Sequence, residues 1–164
     1  MRYTTLLLIL ITVACGGGEI SVRQRFLAQS SVSVHFDAWV RALNNQERDS
    51  LALFYHHGPE LRVLGIDGTI SRGWEEESES QRQFIETAEL VNFVPGEPDI
   101  EVLAKDMVLT TFRHTLDIER VSGQRDPTVH GLGTILWTQD PGDDSWKIRL
   151  LQLSARPRSG ELEF

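Results

Sequence analysis

The histidines are the side chains of this sequence best suited to acid–base or metal chemistry, because unperturbed imidazole titrates near neutral pH. His56 and His57 are adjacent at the end of a predicted helix, where their rings diverge, and no third ligand has a helpful spacing. We therefore predict no metal site and no cofactor. His114 lies within a long apolar strand pattern. Its ring is either a satisfied core group or a hydrogen-bonding group for a small molecule.

Cys15 is the only cysteine, and it follows an N-terminal apolar segment. That segment, Tyr3 to Ala14, has 12 residues, whereas a membrane-spanning helix needs about 20. One interpretation is a lipobox at 12–15, in which the Cys15 thiol is acylated and cleavage leaves it as the N-terminus. The other is plain secretion after cleavage behind Ala14. Because an unpaired cysteine in an exported protein asks for an explanation, we favour the lipoprotein.

The apolar segment and the patterns behind it divide the chain into parts. We predict a signal peptide at 1–14, a lipid anchor and tether at 15–32, one domain at 33–157 and a C-terminal tail at 158–164. This organisation predicts a protein of the bacterial cell envelope that is held at a membrane through its N-terminal lipid. The formal net charge is −8. Since no basic stripe interrupts the acidity, we expect no nucleic-acid partner.

Three helices are predicted in the first half of the domain. Apolar residues recur at i, i+3, i+4 and i+7 over 36–43, with Ser33 as the N-cap. A second helix is predicted over Glu47–His56. The Glu-rich segment 75–88 predicts a third, mostly exposed helix, whose first turn Glu75–Glu77 is solvated and favoured by the helix dipole.

Strands dominate the rest of the domain. Asp67-Gly68 between two β-type runs is a strong hairpin signal. The later strands are separated by turn-forming residues, and we place them at 90–94, 100–104, 107–121, 129–139 and 145–155. Helices followed by a meander of long strands predict an α+β domain.

Several stretches have an order and spacing that are persuasive together: Trp39–Asn44, Leu51–Tyr55, Arg72-Gly73, Ile100–Val108, Gly133–Trp137 and Trp146–Ile148. They resemble the nuclear-transport-factor-2-like superfamily, which includes SnoaL-like cyclases and ketosteroid isomerases. The resemblance covers about residues 33–156. It implies a cone in which a curved antiparallel sheet wraps around about three N-terminal helices and leaves a mostly apolar cavity.

The sequence departs from that family at positions that carry chemistry in it. The resemblance implies histidines in the last strand, where this chain has Leu150 and Gln152. It also implies a carboxylate base in the first strand, where this chain has Val63 and Leu64. We therefore lean against an enzymatic activity.

Strand alternation predicts which side chains face the cavity. The more apolar face of the strand from Met107 carries Phe112 and His114, so we expect that face to point inward. The same reasoning points Leu132, Thr134 and Leu136 inward from the next strand. It also points Leu150 and Gln152 inward from the last. The predicted ligand-binding residues are Trp39, Tyr55, Phe112, His114, Leu150 and Gln152.

The opposite face of the sheet is predicted to form an apolar patch of Ile135, Trp137, Leu151 and Leu153, which indicates a homodimer interface. We predict an envelope-anchored lipoprotein whose domain binds a small, partly apolar molecule without transforming it. Two alternatives stay open. One is an isomerase, cyclase or dehydratase that acts on a small molecule. The other is a protein-interaction module that uses the outer sheet face.

Overall fold

The computed structural model describes residues 20–156. The predicted signal peptide at 1–14, the lipidation site Cys15 and the whole predicted tail at 158–164 lie outside the described residues. Within 20–156 the chain forms three helices and seven strands. Among these residues, no helix combines the length and the apolar character that crossing a membrane requires.

The first helix, α1 (Val22–Asn44), is longer than the sequence pattern predicts. Its start is fixed by a capping box, in which the Ser21 hydroxyl accepts a hydrogen bond from the Gln24 N–H and the Gln24 side chain accepts one from the Ser21 N–H. Ala28 and Val32 are buried and extend the apolar stripe toward this cap. The predicted N-cap Ser33 is therefore wrong, and the part of the predicted tether at 22–32 is helical.

The second helix, α2 (Arg48–Ala52), is shorter than predicted. The chain leaves the helix after Ala52 through a turn at Leu53 and Phe54. Tyr55 then forms an isolated parallel bridge with Ile148. The His56 N–H then donates to the Ile148 carbonyl at 3.0 Å. Tyr55 is consequently held at the sheet and not on a helix.

A short hairpin and the third helix come next, and both were predicted. Strands β1 (Arg62–Leu64) and β2 (Ile70–Arg72) are antiparallel and flank the Asp67-Gly68 turn. Gly68 has a φ of 84°, a left-handed conformation that glycine adopts without a steric penalty. Helix α3 (Trp74–Thr87) follows directly.

The later strands join the hairpin in one curved sheet. They are β3 (Ala88–Pro95), β4 (Asp99–Ala104), β5 (Met107–Arg120), β6 (Val129–Gln139) and β7 (Trp146–Ala155). The order is β2-β1-β7-β6-β5-β3, and β4 pairs with the part of β5 that β3 leaves free. Strand β1 pairs with β7 in parallel. The α+β cone is confirmed, with the correction that its sheet is mixed.

The predicted inner face is correct for β5 and wrong for β6. Phe112 and His114 on β5 are buried, as predicted. On β6 the prediction is wrong, because Trp137 is fully buried whereas Leu132 is 60% exposed. A Cβ added to Gly133 would lie 2.2 Å from Phe112 Cζ. The glycine thus leaves room for a β5 ring, and its missing side chain concealed the inner face in the sequence pattern.

A β-bulge shifts the alternation of β7. Leu136 pairs with Leu150 and Trp137 pairs with Ile148, which leaves Arg149 without an opposite residue. One extra residue moves all later side chains to the other face of a strand. The straight alternation assumed for the last strand therefore fails beyond Ile148.

Trp137→Ala should strongly destabilise the protein. The indole is fully buried, and its N–H donates to Thr110 Oγ1 at 3.0 Å. Truncation leaves a large cavity and an unpaired hydroxyl, so we expect a loss of about 3–5 kcal/mol in the free energy of unfolding, measured by urea denaturation. Leu132→Ala, at an exposed position of the same strand, should change it by less than about 0.5 kcal/mol. Similar small losses for both variants would contradict this assignment of the faces.

Candidate functional site

A cavity of about 380 Å³ lies between the helices and the inner face of the sheet. Its walls come from the three helices, the hairpin and four later strands. Most lining side chains are apolar, and they include Leu43, Leu51, Val63, Ile66, Phe84, Val91, Phe93, Leu116, Ile118, Leu151 and Leu153. A volume of this size and a lining of this kind are typical of small-molecule sites, which measure about 300–1,000 Å³.

Three polar side chains, Tyr55, Glu77 and Gln81, form a polar end of this cavity. Glu77 lies in the first turn of α3 and is only 5% exposed. Gln81 lies one turn later, and its Nε2 donates to Glu77 Oε1 at 2.9 Å. Gln81 Oε1 has no hydrogen-bond partner among the described residues. This end of the cavity therefore has hydrogen-bonding capacity that residues 20–156 do not use.

Tyr55 is oriented by two tryptophans. The Trp39 indole N–H donates to the Tyr55 hydroxyl oxygen at 3.2 Å. The Trp74 ring packs against the Tyr55 ring with centroids 6.1 Å apart. Because Trp39 occupies the acceptor side of the hydroxyl, the Tyr55 proton remains available for an acceptor in the cavity.

Burial controls the protonation of this polar end. It raises the pKa of Glu77, while hydrogen bonds from Gln81 and Ser71 act in the opposite direction. Burial also raises the pKa of Tyr55, and the charge of Glu77 raises it further against the effect of the Trp39 bond. Tyr55 is therefore a neutral hydrogen-bond donor. Glu77 retains a proton to a higher pH than an ordinary glutamate does.

Charged residues line the other parts of the cavity. Asp67 Oδ1 accepts hydrogen bonds from the Thr69 N–H at 3.0 Å and the Thr69 hydroxyl at 2.7 Å. These bonds lower the pKa of Asp67, so its carboxylate stays ionised at neutral pH. Arg120 forms an ion pair with Asp126 and donates to Thr87 Oγ1 at 3.2 Å.

The structure separates the predicted ligand-binding residues. Trp39 and Tyr55 line the cavity. Phe112 and His114 lie in the core and do not line it, because the Phe112 ring packs against Phe36 with centroids 4.9 Å apart. The His114 ring stacks on Phe93 at 5.3 Å, and neither of its nitrogens has a hydrogen-bond partner among the described residues. Of the predicted ligand-binding residues Tyr55, His114 and Gln152, only Tyr55 lines the cavity.

Because of the bulge in β7, the residues of this strand that were predicted to face the cavity and those predicted to face outward change places. Gln152 is exposed and Leu150 is half-buried on the outer face, so both are wrong as cavity residues. Leu151 and Leu153, predicted on the outer face, line the cavity instead. Ile135 and Trp137 are fully buried. These four residues therefore do not form an exposed patch. The predictions of a homodimer and of a protein-interaction module were based on that patch and lose this support.

Glu77 and Gln81 are not among the ligand-binding residues predicted from the sequence. Their signal is a helical spacing shared with Phe84 and Ala88, which places two polar residues on the stripe of α3 that faces the core. The acidic run Glu75–Glu77 concealed it, because its first two members are indeed exposed.

The adjacent histidines do diverge. His56 Nε2 lies 3.1 Å from Glu60 Oε2, whereas the His57 ring stacks on Trp74 with centroids 4.1 Å apart. Within residues 20–156, no three His, Cys, Asp or Glu side chains come together in a group that could hold a metal ion.

Comparison with solved structures identifies the architecture. A nuclear transport factor 2 (NTF2-like) superfamily protein from Salmonella enterica superposes with a TM-score of 0.74, at 16% identity over 85% of this chain and 98% of that one. The domain has the NTF2-like fold. A protein with a cystatin-like fold from Caulobacter vibrioides gives a TM-score of 0.67, at 14% identity over 79% and 90% of the two chains.

A hexachlorocyclohexane dehydrochlorinase also has this fold, with a TM-score of 0.71 at 12% identity over 84% of this chain and 90% of that one. No protein-family model matches the sequence, and no curated protein matches it either. At these identities, the NTF2-like neighbours establish the fold alone.

Acid should destabilise this domain through His114. Burial lowers the pKa of His114, and the charge of His130 acts in the same direction. An unfolded histidine titrates at about 6.5, so below that pH the unfolded chain binds the proton more readily and stability falls. We expect His114→Phe to reduce the loss of stability between about pH 7 and pH 5, measured by urea denaturation.

The control for this experiment is His130→Asn, which changes an exposed histidine. It should retain most of the pH dependence of the unmodified protein. Parallel stability curves for the unmodified protein and His114→Phe would show that His114 does not cause the acid sensitivity.

Proposed function

We propose that the domain binds one small, partly apolar molecule in the cavity, with the polar part of the ligand at Tyr55, Glu77 and Gln81. The observation that carries this proposal is the unpaired Gln81 Oε1, which lines the same mostly apolar cavity as the Tyr55 hydroxyl with its available proton. A buried polar atom without a partner costs about 1–3 kcal/mol. A bound molecule that supplies the partner would offset this cost.

This proposal keeps the predicted kind of function and changes its residues. The hydrogen-bonding groups are not His114 and Gln152, since one lies in the core and the other is exposed. They are the side chains of α3 together with Tyr55. Trp39 keeps its predicted place in the wall and also orients Tyr55.

Occupancy of the cavity can be tested with the neutral, polarity-sensitive dye prodan. We expect its fluorescence to increase and shift to the blue on binding. Ser80 lines the cavity from an exposed position of α3, so Ser80→Trp should obstruct the cavity and weaken binding about tenfold. Gln83→Trp, at an exposed position of the same helix outside the cavity, is the matched control. Equal affinities for the two variants would place the dye elsewhere.

The second candidate is proton transfer on the bound molecule. Glu77 favours it, because a buried carboxyl with a raised pKa beside a neutral hydroxyl donor is an arrangement suited to general acid–base catalysis. One protein with this fold is named a dehydrochlorinase, an enzyme that removes hydrogen chloride. The carboxylate that the first strand lacks would here come from α3.

Deuterium exchange distinguishes binding from proton transfer. If Glu77 acts as a base, the protein should accelerate exchange at the α-carbon of cyclohexanone in deuterium oxide, and Glu77→Gln should abolish the acceleration. If the domain only binds, the rate should equal that of buffer for both proteins. Mass spectrometry of the recovered ketone gives the exchange rate.

We also propose that the protein is a lipoprotein of the bacterial envelope, acylated at Cys15. The support is the apolar segment 3–14, the small Ala14 and the single cysteine directly behind it. Acylation at several positions would give firm anchoring, since each buried CH₂ contributes about 0.8 kcal/mol. Plain secretion is the alternative.

Lipidation can be tested by intact-mass analysis and membrane fractionation in a bacterial host. The unmodified sequence should carry acyl chains on Cys15 and sediment with membranes. Cys15→Ser should lose the acyl mass and leave the membrane fraction. A mature N-terminus at Cys15 without added mass would indicate secretion instead.

A further inference from the structure

The charges that line the cavity are mainly negative. Glu77, Asp67 and Asp126 contribute carboxyl groups, and Arg120 contributes a guanidinium. Arg120 is already ion-paired with Asp126, so their charges offset each other. The carboxyl groups of Glu77 and Asp67 are left without a cation among the ionisable side chains that line the cavity. A cationic ligand would complement them.

The hydrogen-bonding groups at the polar end also favour a cationic ligand. Gln81 Oε1 is an acceptor without a partner, and the carboxylate of Glu77 offers only acceptors when ionised. The Tyr55 oxygen already accepts from Trp39. A ligand carbonyl could use the Tyr55 proton but would turn lone pairs toward the acceptors of Glu77 and Gln81. A group with several N–H donors would satisfy both.

The aromatic walls also suit a cation. Four aromatic residues, Trp39, Tyr55, Phe84 and Phe93, contribute to the lining. A cation within about 6 Å of an aromatic ring face is stabilised by about 0.5–2 kcal/mol, and most strongly when water is excluded. Apolar walls with acceptors at one end match an organic amine better than an inorganic cation, which would leave the apolar surface unused.

We infer that the ligand is a small organic amine, bound as an ammonium ion whose N–H groups donate to Glu77 and Gln81 and whose apolar part fills the aromatic cavity. This inference rests on the proposed small-molecule function and specifies its ligand class.

Three phenyl compounds that differ in one polar group test this inference by isothermal titration calorimetry on the full chain. They are 2-phenylethylamine, 2-phenylethanol and 3-phenylpropionate. The amine should bind at least about tenfold more tightly than the alcohol, and the carboxylate should bind more weakly than both. Equal affinities for amine and alcohol would overturn the inference.

Two glutamates of the same helical turn provide the matched variants. Glu77→Gln should weaken binding of the amine about tenfold and leave binding of the alcohol unchanged. Glu75→Gln removes the same charge from an exposed position and should change neither affinity. An amine preference that survives Glu77→Gln would assign it to the overall negative charge and would overturn the inference.

Asp67→Asn keeps the experiment decisive if Glu77→Gln does not fold. Asparagine retains an oxygen for the turn, and loss of the charge should weaken amine binding about threefold; no change would count against the inference. Failure of the amine inference can be distinguished from failure of the proposed function. If prodan binds in a manner sensitive to Ser80→Trp but the amine shows no preference, only the amine inference is wrong. If none of these compounds binds, both proposals are wrong.

Discussion

The hydrogen bond between the Trp39 indole and the Tyr55 hydroxyl joins the parts of the molecule on which the cavity depends. Trp39 is buried between Phe36 and Phe93, with ring centroids 6.0 Å and 5.6 Å away. Tyr55 is held to the sheet by its bridge with Ile148. Since the indole nitrogen can only donate, the tyrosine oxygen must accept, and the remaining proton is free for the cavity. One buried contact thus links the long helix, the sheet and the polar end of the site.

Much of the fold could be predicted because its signals are local. The Asp67-Gly68 turn identified the hairpin, and the alternation along β5 identified its inner face correctly. The stripe that contains Trp39 identified the central part of α1. The start of α1 was missed although Ser21 and Gln24 form a capping box, because the residues after the cap are mostly polar.

The candidate site could be predicted only in part, because it depends on irregularities that have no clear sequence signal. Arg149, which has no opposite residue in β6, shifts the alternation of β7 so that Leu151 lines the cavity and Gln152 does not. Gly133 conceals the inner face of β6, because a glycine carries no hydrophobic signal of its own. Glu77 was assigned to solvent on the strength of its acidic neighbours, and only the packing of α3 shows that it is buried.

The hairpin wall of the cavity is attached to the rest of the sheet by a short junction. Strand β1 pairs with β7 over three residue pairs, whereas β5 and β6 pair over ten. The free energy of a local opening grows with the hydrogen bonds and the buried surface that the opening removes. The hairpin is therefore the section of the wall that separates most readily. For a ligand that leaves through this wall, the residence time would be set by fraying of β1 from β7, and two such ligands of different affinity would leave at similar rates.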